Sequence, residues 1–145
     1  MTVAHVASKI ARINGVAPNR GATSDEVLAT EFRLGTAIPS EIKELVAVMD
    51  GCNGETPPEQ SWTRFWPMQE WRMVADLGST TDFAEAIVFA DYCQESWWYA
   101  FEAAGAGPVR VAKINGPDCI VSESLLEFLE GVLHDDPKIY GPHAG

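Results

Sequence analysis

The spacing of apolar residues in this chain changes near residue 55, and that change limits the folds open to it. Before it, apolar residues recur at helical intervals; after it come short runs rich in β-branched and aromatic residues. A helical period returns only near the end, in SESLLEFLEGVLHDD, residues 122–136. Helices, then a strand meander, then a helix is the order of an α+β domain with helices packed on one sheet face. A chain of 145 residues suffices for one such domain and not for two ordinary ones. The predicted fold is a single α+β domain over 1–145, its N-terminal helices and C-terminal helix lying on a mainly antiparallel sheet.

Each helix carries its own punctuation. Val3, Val6, Ile10 and Ile13 fall on one helical face, and Asn14-Gly15 stops that segment. Thr23-Ser24-Asp25-Glu26 has the form of a capping box and opens a second helix, with Val27, Leu28 and Phe32 expected inward and Gly35 at its end. Pro39 opens a third, whose stripe is Ile42, Leu45, Val46 and Met49. Gly51 and Asn53-Gly54 close it. GETPPEQSW, residues 54–62, is a loop by its prolines.

Beyond the loop, TRFWPM reads as a short strand confined to an edge by Pro67, and MQEWRMVADL as a helical turn or two. EAIVFADY, SWWYAFEA and PVRVAKIN read as three strands, joined by turns too short for a crossover and therefore antiparallel. Strand alternation puts Trp97 and Tyr99 on one face and Trp98 on the other. Ser122 or Ser124 caps the last helix, which buries Leu125, Phe128, Leu129, Val132 and Leu133; PKIYGPHAG is a tail.

A net charge of −11 argues against a nucleic-acid or anionic-membrane partner and favours a cationic one. Between Arg72 and Arg110 there is no lysine or arginine, while Asp76, Asp82, Glu85, Asp91, Glu95 and Glu102 fall in that interval. With Glu55 and Glu59 these acids predict one acidic face interleaved with aromatics. Three widely spaced cysteines without a CxxC indicate reduced thiols and a cytoplasmic protein. The first fifteen residues hold no long apolar core, so no secretory signal is expected, and no run approaches the roughly 20 apolar residues of a membrane span.

Catalytic and metal-binding patterns are sparse. His5, His134 and His143 have no ligand-spaced or catalytic neighbours, and GxSxG, HExxH, GxGxxG and P-loop patterns are missing. Cys93, between Asp91 and Glu95, lacks a nearby base to activate it and is read as a small buried or half-buried residue. No metal, cofactor or enzymatic activity is expected.

The stretch EFRLGTAIPSEIKELVAVMDGCNG, residues 31–54, resembles the N-terminal signature of the SUKH superfamily of Smi/Knr-like domains. The matching elements are Leu34-Gly35 ending a helix, Ile38-Pro39 opening the next, and Asn53-Gly54 closing it. RFWPMQEW resembles the following strand and short helix, IVFADYCQESWWYAFEA the central hairpin, and IVSESLLEFLEGVL the final helix. The resemblance spans about residues 24–134 and leaves helix 2–14 and tail 135–145 outside it as accessory segments. It implies an α+β fold without shared catalytic residues and, in bacteria, an immunity protein that binds and neutralises a cognate toxin.

The expected function is therefore non-enzymatic: binding a toxin domain, nuclease-like and basic, from a polymorphic or contact-dependent system. An acidic inhibitor suits a nuclease, whose site must be basic to hold phosphates. The expected partner-binding residues are Glu55, Glu59, Trp62, Asp91, Gln94, Glu95 and Trp98. The rivals are a regulatory scaffold of the Smi/Knr cell-wall-regulator type and a small hydrolase using a carboxylate pair.

Overall fold

The computed structural model describes residues 2–13, 18–52, 63–78, 82–93, 95–103, 107–115 and 118–141. The expected Asn53-Gly54 turn, the 54–62 loop with Glu55, Glu59 and Trp62, and Gln94 lie outside them. The fold is α+β. Helices α1 (Val3–Ile13), α2 (Ser24–Leu34) and α3 (Ser40–Val48) precede strands β1 (Thr63–Phe65), β2 (Arg72–Met73), β3 (Ile87–Tyr92), β4 (Trp97–Phe101), β5 (Val111–Ile114) and β6 (Cys119–Ser122). Helix α4 (Leu125–Leu133) follows, and 3₁₀ turns lie at Met68–Glu70, Val74–Leu77 and Pro137–Tyr140.

The described strands form one antiparallel sheet in the order β1-β3-β4-β5-β6, with β2 pairing β3 alongside β1. Strand β6 was not foreseen. CIVS is short, follows an acid and carries half-exposed side chains, so it lacks the apolar density that marks its neighbours. Ser122, read as a possible helix cap, is its last residue; Ser124 is the cap, its Oγ accepting from the Glu127 N–H at 3.2 Å.

Helix α1 packs against both α3 and α4. Val3, Val6, Ala7 and Ile10 are buried there, as are Ile42, Leu45 and Val46 of α3. A segment outside the family-like stretch thus supplies part of the central helix layer. Phe128 of α4 presses on the sheet, its ring 4.7 Å from Tyr99, 5.8 Å from Phe89 and 6.4 Å from Phe65. The β3–β4 register shifts between Val88 and Ala90, at Phe89, whose carbonyl accepts from Trp66 N–H at 2.8 Å and whose buried ring joins this cluster.

Helix α2 corrects the sequence reading. Its capping box forms, with Glu26 N–H donating to Thr23 and Thr23 N–H to Glu26, and Gly35 closes it in the left-handed region at φ 74°. Yet Leu28 and Phe32 point outward; Thr30 is the buried residue of the helix, and Val27 and Leu34 are half-buried. The reason lies in what holds α2. The Arg33 guanidinium donates to the carbonyls of Met68 (2.7 Å) and Trp71 (3.0 Å), and the Glu31 carboxylate accepts from Ile38 N–H (2.7 Å). Polar contacts set its rotation, and α1 occupies the seat in the helix layer.

Gly51 follows α3 at φ 69°, and a Cβ there would strike the backbone of Trp66 and Pro67. This close approach joins the end of α3 to the exit of β1. The C-terminal turn is docked: Ile139 is buried, Tyr99 Oη donates to its carbonyl at 2.8 Å, and Lys113 Nζ donates to the Tyr140 carbonyl at 2.8 Å.

Candidate functional site

The registers Arg64↔Asp91, Asp91↔Trp98 and Trp98↔Ile114 place four residues in one row across β1, β3, β4 and β5. At the turn end of this row, Cys93 and Glu95 both take positive φ, 49° and 64°, which lets the chain reverse within four residues. Asp91, expected on an exposed acidic face, is buried instead. Its carboxylate accepts from the Trp66 indole N–H and, at 3.2 Å, from the Glu95 backbone N–H, while Arg64 Nη1 lies 3.7 Å away. Desolvation pushes its pKa above the ordinary value, against the opposing pull of Trp66, the Glu95 amide and Arg64. Asp91 is a scaffold carboxylate that shapes the turn.

Glu95 is exposed, and its Oε1 accepts from the Trp98 indole N–H at 3.1 Å. Trp98 is half-buried. The two form one amphipathic unit: an anionic tip over an aromatic body, fixed from beneath by Asp91. On the other face of the same hairpin, Trp97 stacks on Tyr92 with ring centres 4.4 Å apart, and Lys113 Nζ lies 4.4 Å from the Trp97 ring centre. Tyr140 closes over this pair, 5.1 Å from Tyr92 and 6.1 Å from Trp97.

The acidic interval does not gather into one face. Asp82, Glu85 and Glu102 line a separate cleft of about 360 Å³ with Phe83, near the start of β3 and the end of β4. Glu102 is ion-paired there with Arg110 at 2.7 Å. A six-residue strand separates the two groups by roughly 17 Å. Sequence order alone hid this split, because an antiparallel ladder sends the two ends of a strand to opposite edges of the molecule.

The cations show a second pattern that sequence reasoning missed. Arg20, Lys43, Arg64, Arg110 and Lys138 are each paired with a carboxylate of this chain, and Arg33 and Lys113 donate to backbone carbonyls. Among the described residues these seven of the ten basic residues have partners within the chain; the excess of acids over bases is that of the net charge, −11. Among the described residues no group of three or more His, Cys, Asp or Glu is arranged to hold a metal, and no helix is long and apolar enough to cross a membrane. Asp135 and Asp136, beside His134, are occupied locally, accepting from Tyr140 Oη and Lys138 N–H. Comparison of the chain with protein-family models and with curated proteins returns no match.

Proposed function

We propose that the protein is a non-enzymatic immunity protein of the SUKH type, acting in the cytoplasm by binding and neutralising a basic, nuclease-like toxin domain. Three things support this reading: the ordered motifs of residues 24–134, the α+β architecture that such motifs imply, and the charge distribution. The last carries most weight. With net charge −11, a basic partner is steered in and anionic ligands are repelled.

The contact surface in this reading is the β3–β4 hairpin tip, with Glu95 and Trp98 as charge and aromatic anchor; Glu55, Glu59, Trp62 and Gln94, expected from the sequence to take part, lie outside the described residues. Asp91 serves it from beneath by holding the Glu95 amide. The test asks whether the reading frame beside the gene encodes a basic toxin domain, and co-expresses that domain with the chain. Co-expression of the wild-type chain should restore growth, and Glu95→Lys with Trp98→Ala should slow association at least about tenfold at low salt and less at high salt. Failure of the wild-type chain to restore growth overturns the immunity reading. An unchanged association rate for the double variant overturns the hairpin as the contact surface.

A further inference from the structure

Among the described residues, Leu28 at 62% and Phe32 at 91% are the large hydrophobic side chains left exposed. They are not scattered. Both lie on α2, four residues apart, and exposed Asp25 and Ala29 complete an i, i+3, i+4, i+7 stripe. Isolated apolar side chains on a surface need no explanation, but a contiguous apolar ridge on a helix does. Its geometry is that of a helix face awaiting another helix, with Ala29 small enough to permit close approach.

The ridge is held rigidly. Glu26 and Thr23 cap its N-terminus, Arg20 forms two contacts with the Glu26 carboxylate at 2.9 and 3.1 Å, and Arg33 ties the last turn to the Met68 and Trp71 carbonyls. A preformed face loses little conformational freedom on binding. These polar ties also explain why α2 remains ordered without burying its most apolar residues.

Charge decides the occupant. A second copy would bring two chains of net charge −11 together and set the Asp25 side chains among facing ridges. An anionic membrane is opposed by the same charge. We propose that the Leu28–Phe32 ridge of α2 docks a basic amphipathic helix of another protein: its apolar stripe covers Leu28, Ala29 and Phe32, and its lysines or arginines meet Asp25, drawn in by the chain's net charge of −11. The ridge is separate from the hairpin surface and does not depend on the toxin reading.

The experiment uses the full chain and a labelled amphipathic Leu/Lys peptide of helical period, with a Leu/Glu peptide of the same pattern as control. The Leu/Lys peptide should bind the wild-type chain and bind Leu28→Ser/Phe32→Ser at least about tenfold more weakly, because the apolar contact is lost while the charge remains. The thermal midpoint of that variant should not fall, since neither side chain is buried. Glu95→Lys/Trp98→Ala should retain the binding, which separates this surface from the hairpin. Absence of binding, equal binding to the serine variant, or equal binding of the Leu/Glu peptide overturns the proposal. So does a concentration-dependent dimer, or capture by vesicles containing phosphatidylglycerol, that the serine substitutions abolish.

Discussion

The indole N–H of Trp66 donates to Oδ2 of Asp91, a residue twenty-five positions further along the chain. This contact ties the exit of β1 to the end of β3. Oδ1 of the same carboxylate accepts from the backbone of Glu95, so one side chain fixes both a strand junction and a hairpin turn.

Asp91→Asn removes one of those two acceptors, because an amide nitrogen cannot accept a hydrogen bond. The donor left behind is turned toward another donor in a buried setting. The expected cost is about 1–3 kcal/mol in urea titration. Glu95→Gln, at an exposed tip, should change stability by less than about 0.5 kcal/mol. A cost for Asp91→Asn no larger than that of Glu95→Gln would remove the scaffold role of Asp91.

Glu26 sets a pH dependence of known sign. Its carboxylate accepts from Thr23 N–H and from Arg20, and these hold its pKa down from 4.5 to about 2. A depressed carboxyl pKa contributes stability that is present above pH 4.5 and is lost as the pH falls toward 2. Burial pushes Asp50 and Asp91 the other way, so they contribute an opposite slope. The difference between wild type and Glu26→Gln cancels Asp91, which Glu26 does not touch, and keeps only the small part of the Asp50 shift that the Glu26 charge supplies. That difference in melting midpoint should be constant above pH 5 and shrink between pH 4.5 and 2; a difference that is flat down to pH 2 would overturn the assignment.

The segments that could be read from sequence are those where local chemistry and burial agree. The stripe Ile42, Leu45, Val46 and Met49 is buried as its period requires, and the capping box at Thr23 and Glu26 closes as its spacing requires. Leu28 and Phe32 were misread because a helical period says which residues share a face, not which way that face turns. The carbonyls of Met68 and Trp71, far along the chain, decide that through Arg33. The acids of the 72–110 interval were grouped by sequence distance, whereas the β3–β4 ladder sends Glu95 and Glu102 to opposite ends. Asp91 shows the same limit: a carboxylate between an alanine and a tyrosine gives no local sign that a distant indole will draw it inward.

Tyr99→Phe tests the docking of the C-terminal turn. The phenol Oη donates to the Ile139 carbonyl from within the core, and burial drives its pKa well above the ordinary tyrosine value. Loss of the hydroxyl withdraws that donor from a carbonyl at a buried residue, at a cost of about 1–3 kcal/mol. Amide exchange at Ile139 and Tyr140 should speed up more than exchange in β3 and β4. Uniform acceleration across the sheet would mean that the turn and the sheet open as one unit.

The final prediction compares one substitution at two leucines of opposite standing. Leu45 is 3% exposed and borders a cavity of about 10 Å³ with Phe65, Trp71 and Phe89. That space is no larger than a single water requires, so truncation to alanine enlarges a void in an apolar wall. Leu45→Ala should cost about 2–5 kcal/mol in denaturant titration. Leu28, also helical and also apolar, is 62% exposed, and Leu28→Ala should change stability by less than about 0.5 kcal/mol because alanine is the better helix former and no cavity opens. If the two costs come out alike, α2 is not turned outward as described, and the docking ridge falls with it. If they separate, Leu28 stands on the outward face of α2, as the docking ridge requires.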